Sequence, residues 1–428
     1  MKVGICGLGT VGSGTFNLIS KNNSEIERRL GSKVHIAQVG CRREHPDCNL
    51  SNVDVSYDIF DVVRNPDIDI VIEVIGGLDV ARSLVLEAIR NGKHVVTANK
   101  ALIAEYGQEI MDAAAEKGVQ IKFEAAIAGG IPIVKTITEG LAANRLEWIV
   151  GIINGTSNYI LSKMSDVGCD LSFIDVLKDA QKLGYAEADP TFDVEGVDAA
   201  HKLTILASIA FGIPFSFDAV YTEGISQINA SDIGYARELG YVIKHLGIAR
   251  VQDDNVEIRV HPCLVAADHM LAQVKGVMNA VMVGGDASGS TMYYGAGAGS
   301  SPTASAVVSD VLDIMRASEG KTAGNLGFDN GRLVPKKIVS IEKVVGSAYL
   351  RLIVSDQPGV MARISTILSQ HEISIESLIQ KNTRDDYADV VIVTNAVFEE
   401  SLDLAIKKLS SMEDVRGDVT RIRVAEFF

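Results

Sequence analysis

The feature that most restricts what this chain can fold into lies at residues 2–12. KVGIC (2–6) reads as a short buried strand, and Gly7-Leu8-Gly9-Thr10-Val11-Gly12 follows at once. A helical pattern then runs to about Ser20. Each glycine has its own purpose. Gly7 permits the tight turn, Gly9 lets a pyrophosphate approach the backbone, and Gly12 lets helix and strand pack closely. The first amides of the helix, around Thr10 and Val11, then face the phosphates. This pattern predicts a dinucleotide-binding domain of the Rossmann type.

VHIAQVG (34–40), DIVIEVI (69–75), HVVTA (94–98) and VQIKFEA (119–125) read as further strands, with helical patterns between several of them. That alternation builds parallel sheets. The second strand runs into Gly40-Cys41-Arg42-Arg43, and Glu44 comes only afterwards. An acid at the strand end suits a ribose 2′-hydroxyl, whereas guanidiniums suit a 2′-phosphate. The expected cofactor is therefore NADP, held in part by Arg42; NAD stays open if the arginines only face solvent. Thr97-Ala98-Asn99-Lys100 follows the fourth strand, where open α/β sheets place their ligands. Thr97 and Lys100 are candidates to meet cofactor or substrate.

A chain of 428 residues exceeds what one core can serve, so two or three domains are expected. Net charge is −15, which opposes a nucleic-acid or anionic-membrane partner. No apolar run reaches the ~18 residues of a membrane span. The five cysteines are scattered, with no CxxC, which points to reduced thiols and a cytoplasmic setting without zinc. The chain opens on a strand, so no signal peptide is expected.

The middle of the chain carries the chemistry. Residues 182–202, KLGYAEADPTFDVEGVDAAHK, hold Glu187, Asp189, Asp193, Glu195 and Asp198, then give way to the apolar AAHKLTILASIAF. This reads as a loop feeding a buried helix, with Asp193 placed to cap it. Asp198 and Lys202 are four residues apart and share a helical face. A carboxylate and an ammonium side by side there can orient a polar substrate and move a proton; an exposed ion pair is the plainer reading. Upstream, Glu124 in FEAAIAGGIPI ends a strand beside a glycine-loosened backbone, either as part of an oxygen cage for a hard cation or as a buried, hydrogen-bonded acid. LEWIVGII (146–153) reads as a strand, and Asn154-Gly155-Thr156-Ser157-Asn158 opens a helix whose amides suit a carboxylate or the nicotinamide end. VEIRVHPCLV and AVMV, between 256 and 283, add strands to a mixed α/β domain. Tyr294-Gly295-Ala296-Gly297-Ala298-Gly299-Ser300-Ser301-Pro302 leads into a helix to about Ala317, with Ser301 as its expected cap and Pro302 in its first turn.

The expected domains are 1–130 for the nucleotide, completed by about 300–320; 131–317 for substrate, catalysis and dimerisation; a linker at 318–346; and 347–428. The last segment reads strand, helix, strand, strand, helix, strand, the ferredoxin-like plan. It shows no nucleophile or acid–base pair, so regulation or assembly is its expected role.

With these motifs in view, the chain resembles homoserine dehydrogenase of the monofunctional type with a C-terminal ACT domain. GLGTVG, TANK, NGTSNYIL, GYAEADPTFDVEGVDAAHK and GAGAGSSPTASAVV carry the resemblance, which spans essentially the whole chain. It implies reversible NAD(P)-linked reduction of L-aspartate 4-semialdehyde to L-homoserine, on the route to threonine, methionine and isoleucine. By the same resemblance Lys202 gives the proton, Glu187 and Asp198 hold the substrate ammonium, and Lys100 lies between cofactor and substrate. Gly184 and Gly297 line the nicotinamide end. Glu124, with the carbonyls of Ile127, Gly129 and Ile131, forms a sodium site. Threonine is the implied effector of the ACT domain, and a homodimer or homotetramer the implied assembly. The rivals are another dehydrogenase for a related amino-acid aldehyde, and an amino-acid sensor with a relic dinucleotide fold.

Overall fold

The computed structural model describes residues 1–30, 33–166, 171–317, 336–382 and 386–425. Strands β1 (Lys2–Cys6), β2 (His35–Gly40), β3 (Asp54–Ser56), β4 (Ile70–Glu73), β5 (His94–Thr97) and β6 (Ile121–Lys122) form one parallel sheet in the order β3-β2-β1-β4-β5-β6. Helices α1 (Thr10–Leu30), α2 (Ile59–Arg64), α3 (Asp79–Arg90) and α4 (Lys100–Lys117) connect its strands. Strands such as β4, buried at every position, suit a sheet covered on both faces. Strand order reverses between β1 and β4, and the crevice opens there, beyond their carboxyl ends.

A second sheet contains β7 (Leu146–Ile152), β8 (Tyr221–Thr222), β9 (Tyr241–Gln252), β10 (Asn255–Ala266), β11 (Met278–Gly285) and β12 (Gly289–Ala296). The same part of the chain holds α5 (Ile133–Lys135), α6 (Gly155–Met164), α7 (Phe173–Lys182), α8 (Thr191–Val194), α9 (Val197–Phe211) and α10 (Ala230–Glu238), of which α6, α9 and α10 pack directly on the strands. In α9 every residue from Asp198 to Ala210 is buried. A helix apolar nearly all round belongs inside a core, and this one packs on α4, β7, β9 and β10. Cutting Leu206, fully buried there, to alanine removes contacts worth about 2–5 kcal/mol. Helix α11 (Ser300–Arg316) returns to the first sheet. Its Val307, Val308, Val311 and Ile314 join the apolar cluster under β1 and α1.

Beyond it come β13 (Lys337–Ile338), β14 (Val345–Gly346), β15 (Ala348–Ser355), α12 (Val360–Gln370), β16 (Ile375–Asn382), β17 (Tyr387–Thr394), β18 (Val397–Phe398), α13 (Glu399–Ser410) and β19 (Thr420–Val424). The order β19-β15-β17-β16 is the ferredoxin-like arrangement. Its sheet is continuous with the second one: β19 pairs parallel with β10 through Cys263–Arg423 and Leu264–Val424. Separate cores had been the natural expectation. Instead Tyr349, Val391 and Ile422 share an apolar cluster with Ile160, Val194 and Ile225.

Several local expectations change. Helix α1 runs ten residues past Ser20, because Ile26 continues its buried stripe and overrides the Asn22-Asn23-Ser24 break. Only Ile121–Lys122 of the 119–125 segment joins the sheet, since Glu124–Ala126 turns away as a short 3-10 helix. Strands β3, β9 and β12 were not read from the sequence. Asp193 does not cap α9: Gly196, at φ +85°, takes that place, and the chain turns once as α8 beforehand. Ser301 is likewise inside α11, and Gly299 at φ +123° is its cap, a conformation that serine avoids. Of the expected linker, 318–335 lies outside the described residues; β13 and β14 show that 337–346 is partly strand.

Candidate active site

The three glycines behave as their places demand. A side chain on Gly7 (φ +103°) would meet the Val74 carbonyl at 2.8 Å, and one on Gly12 the Gly7 carbonyl at 1.9 Å. At Gly9 nothing lies within 4 Å, which leaves the approach to the backbone open. Gly7, Gly9, Arg42, Arg43, Ile75, Gly76 and Gly77 line a cavity of about 530 Å³. Arg42 and Arg43 are exposed at its rim. The Ser300 hydroxyl donates to the Thr10 carbonyl (2.8 Å), so the start of α11 sits over the start of α1.

Lys100 is the first residue of α4, whose cap is Asn99; the Asn99 side chain accepts from the Leu102 amide. Its ammonium reaches Asp198 Oδ1 at 3.0 Å. Asp198 Oδ2 receives Lys202 Nζ at 2.7 Å and Asn154 Nδ2 at 2.8 Å. Lys202 also donates to the Ile153 carbonyl at 2.7 Å. The pair predicted from spacing is thus buried, with relative exposures of 4% and 8%. Burial alone would raise the Asp198 pKa; the ammoniums of Lys202 and then Lys100 outweigh it and hold the carboxyl well below the usual range. An ammonium has three N–H donors, and two of those on Lys202 are assigned. The third has no partner among the described residues.

The sequence points to the 154–158 segment as a helix start whose amides suit a ligand, with no role for the Asn154 side chain. Its Oδ1 does accept from the Ser157 amide (2.8 Å), while its Nδ2 bridges Asp198 and Asp193 Oδ1 (2.8 Å). Asp193, released from the capping role, also lies 3.0 Å from the Thr156 hydroxyl. Burial, foremost, pushes its pKa up. A side wall is aromatic. The buried His201 ring lies 4.2 Å from Phe217 and 5.5 Å from Phe192, centroid to centroid, and Phe192 lies 5.6 Å from Lys100 Nζ.

Glu187 is not joined to this cluster. It is exposed on the loop after α7, and its carboxylate makes no hydrogen bond or ion pair among the described residues. Gly184 (φ +75°) opens the same loop, with nothing within 4 Å of an added side chain. Gly297 is tightly enclosed: a side chain there would meet the Asn279 carboxamide at 2.0 Å, and its carbonyl crowds Gly129. Thr97 is fully buried, with its hydroxyl donating to Glu73 Oε2 at 2.5 Å.

Glu124 is 2% exposed, and its two oxygens accept from the amides of Val134 and Lys135, both at 2.8 Å. Burial raises its pKa to about 7. Asp310, which the sequence did not single out, accepts from the Glu124 amide at 2.8 Å and is raised to about 8 by burial and then by Glu124. Ala128 and Gly129 are both left-handed (φ +51° and +49°), which turns the carbonyls of this loop. The Ile131 carbonyl accepts from Ile133, while those of Ile127 and Gly129 have no backbone partner among the described residues. A buried carboxyl beside two carbonyls that lack backbone partners among the described residues offers oxygens of the type that hard cations take. Among the described residues no three His, Cys, Asp or Glu side chains gather as a metal site, and no helix is long and apolar enough to cross a membrane.

A dinucleotide crevice together with a buried carboxylate–ammonium cluster defines an NAD(P)-linked oxidoreductase. Comparison with known proteins carries this further. Residues 7–124 match the family described as homoserine dehydrogenase, NAD binding domain; 132–312 match homoserine dehydrogenase; and 348–414 match the ACT domain. The chain is 55% identical over 431 residues to homoserine dehydrogenase of Pseudomonas aeruginosa, covering 100% of this chain and 99% of that one. It is 47% identical over 437 residues to that of Neisseria gonorrhoeae, covering 99% and 98%. The crystal structure of a homoserine dehydrogenase from Thiobacillus denitrificans superposes with a TM-score of 0.93 at 50% identity, covering 100% and 98%. This chain belongs to the homoserine dehydrogenase family.

Proposed function

We propose that the chain reversibly reduces L-aspartate 4-semialdehyde to L-homoserine, with NADP preferred over NAD. The observation that carries this reading is the Asp198–Lys202–Lys100 cluster on α9 and α4. A reduced nicotinamide, when bound, supplies the hydride. As the aldehyde carbon receives it, negative charge builds on the oxygen, and the Lys202 ammonium donates a proton there. Asp198 and the Ile153 carbonyl aim that ammonium, and Asp198 is also available to the substrate's own ammonium. Glu187 meets that ammonium from the loop after α7, which must close over the substrate to bring it near. Gly184 and Gly297 flank the nicotinamide end, Thr97 serves the cofactor site, and Arg42 takes the 2′-phosphate. In the reverse direction homoserine's hydroxyl proton returns to Lys202.

The same reading covers the remaining parts. Sodium is held by Glu124 and the carbonyls of Ile127, Gly129 and Ile131, and it stiffens the turn between the two sheets. Threonine acts through the ACT domain as an inhibitor, by favouring a less active state. The protein is cytoplasmic, serves threonine, methionine and isoleucine synthesis, and assembles as a homodimer or homotetramer. An inactive amino-acid sensor is not favoured, because Lys100, Glu187, Asp198 and Lys202 are all present. The test is the absorbance of reduced cofactor formed from homoserine, with NADP and NAD in parallel. Homoserine-dependent formation, faster with NADP, is expected; none with either cofactor would refute the activity.

A further inference from the structure

Strand β4 reads Ile-Val-Ile-Glu, and its last residue is a carboxylate with no exposure to solvent. An ionised group so placed costs several kcal/mol unless its lone pairs are met, as an order of magnitude. Here they are met by two separate loops. Glu73 Oε1 accepts from the Ile75 amide at 3.0 Å and the Gly76 amide at 3.4 Å. Glu73 Oε2 accepts from the Thr97 hydroxyl. That hydroxyl in turn accepts from the Asn99 amide at 3.0 Å. The Asn99 carboxamide closes the circuit by donating to the Gly77 carbonyl at 2.7 Å.

This ring ties the loop after β4 to the loop after β5. The first is a wall of the dinucleotide cavity, through Val74, Ile75, Gly76 and Gly77. The second launches α4 and therefore sets Lys100. Gly76 and Gly77 are both left-handed (φ +71° and +74°), and nothing lies within 4 Å of a side chain built on either. No described atom fills the space beside these two glycines where a side chain would stand, so the hydrogen bonds accepted by Glu73 and donated by Asn99 hold the wall's shape. None of the motifs that mark the family in this sequence includes Glu73.

We propose that Glu73 is a positioning residue for the reaction: through this ring it holds the glycine wall of the cofactor crevice and the start of the Lys100 helix in one fixed relation. The inference rests on the cofactor-linked activity proposed above, yet it is read separately, by direct binding of reduced cofactor to the protein. Glu73→Leu keeps the bulk and removes every bond of the acid. It is expected to weaken reduced-cofactor binding, followed by fluorescence titration, about tenfold or more, the scale of losing charged hydrogen bonds. Turnover with homoserine should fall similarly, while the KM for homoserine changes less than about threefold, because that substrate is gripped from α9. General damage to the fold would move all three together. Glu73→Gln still accepts from the loop amides and donates to Thr97, and should restore most of the loss. Asn99→Ala opens the ring from the other side at a half-buried site; it should weaken cofactor binding by itself, and combined with Glu73→Leu should add less than the sum. Near-normal cofactor binding by Glu73→Leu, a Gln variant as impaired as the Leu variant, or full additivity with Asn99→Ala would overturn the assignment. Should Glu73→Leu not fold, Asn99→Ala and Glu73→Gln carry the test by the same binding measurement. If the unmodified chain binds cofactor through this ring yet leaves homoserine untouched, the activity fails and the role of Glu73 stands.

Discussion

Two of the buried ionic clusters among the described residues differ in how completely they are used. At the junction with the C-terminal domain, Arg423 is 3% exposed. Its Nε and Nη2 grip Glu399 at 2.8 and 3.0 Å, its Nη1 pairs with Glu223, and Nη2 also meets the Tyr221 hydroxyl at 3.1 Å. One guanidinium thus bridges both acids, and Arg421 adds a second cation to Glu399 at 3.3 Å. Nearby, Arg351 Nε binds Asp232 at 2.6 Å and its Nη2 reaches Thr420 at 3.0 Å. At the candidate active site one carboxylate, Asp198, serves two ammoniums. Among the described residues Lys202 has a partner for only two of its three N–H groups, and the side chain of Lys100 is one-third exposed. A cluster whose valences are filled joins surfaces; one with donors to spare can meet a substrate.

Removing parts of each cluster should therefore have opposite signatures. The largest effect is expected from Asp198→Ala, which frees Lys202 from its aim: kcat/KM for homoserine should fall about 10²–10⁴-fold, the range of a misplaced proton donor. Steady-state kinetics measure it, and a loss below tenfold would make the site cluster as ordinary as an exposed ion pair. Arg423→Leu strips the buried Glu399 of its two-pronged partner, leaving it Arg421 alone, and should cost about 3 kcal/mol of stability, the low end for breaking a buried pair. Denaturant melting reports that, while the variant that folds should keep its KM for homoserine. Equal stability would show that the junction is loosely held.

Smaller effects refine the picture. Arg42→Ala should reduce the preference for NADP over NAD about tenfold, from loss of a charged hydrogen bond; unchanged relative affinity would return Arg42 to solvent. His201 tests the electrostatics beside Lys202. Burial, foremost, lowers its pKa from 6.5 to about 4. Between those values the unfolded chain binds a proton that the folded chain does not. Stability is therefore greatest above 6.5 and is lost as pH falls towards 4. His201→Phe should flatten that slope in melting curves, though His245 and His261, also lowered by burial, keep part of it. An unaltered slope would place the acid sensitivity elsewhere.

What could be read in advance was local in sequence. The glycine fingerprint, the i, i+4 pair of Asp198 and Lys202, and the strand–helix order of the ACT domain each occupy one short stretch. What could not be read joins distant stretches. Lys100 meets Asp198, Arg423 meets Glu223, and Asp310 meets Glu124 across chain separations that no periodicity encodes. Asn154 shows a subtler limit: the helix start it opens was legible, yet its amide nitrogen carries bonds to Asp198 and Asp193 that the pattern does not announce. Glu73 was passed over as part of an apolar strand, although a lone acid in IVIE is itself a signal. Asp193 was assigned as a cap because a left-handed glycine three residues later was not foreseen.

The central claim is that Lys202 delivers the proton, and replacing its amine tests that most directly. In Lys202→Ala, homoserine-dependent reduction of NADP should fall about 10²–10⁴-fold, with reduced-cofactor binding little changed, and added small primary amines should restore rate in proportion to their concentration. Turnover that survives the substitution, or falls only as far as cofactor binding does and ignores added amine, would contradict the account.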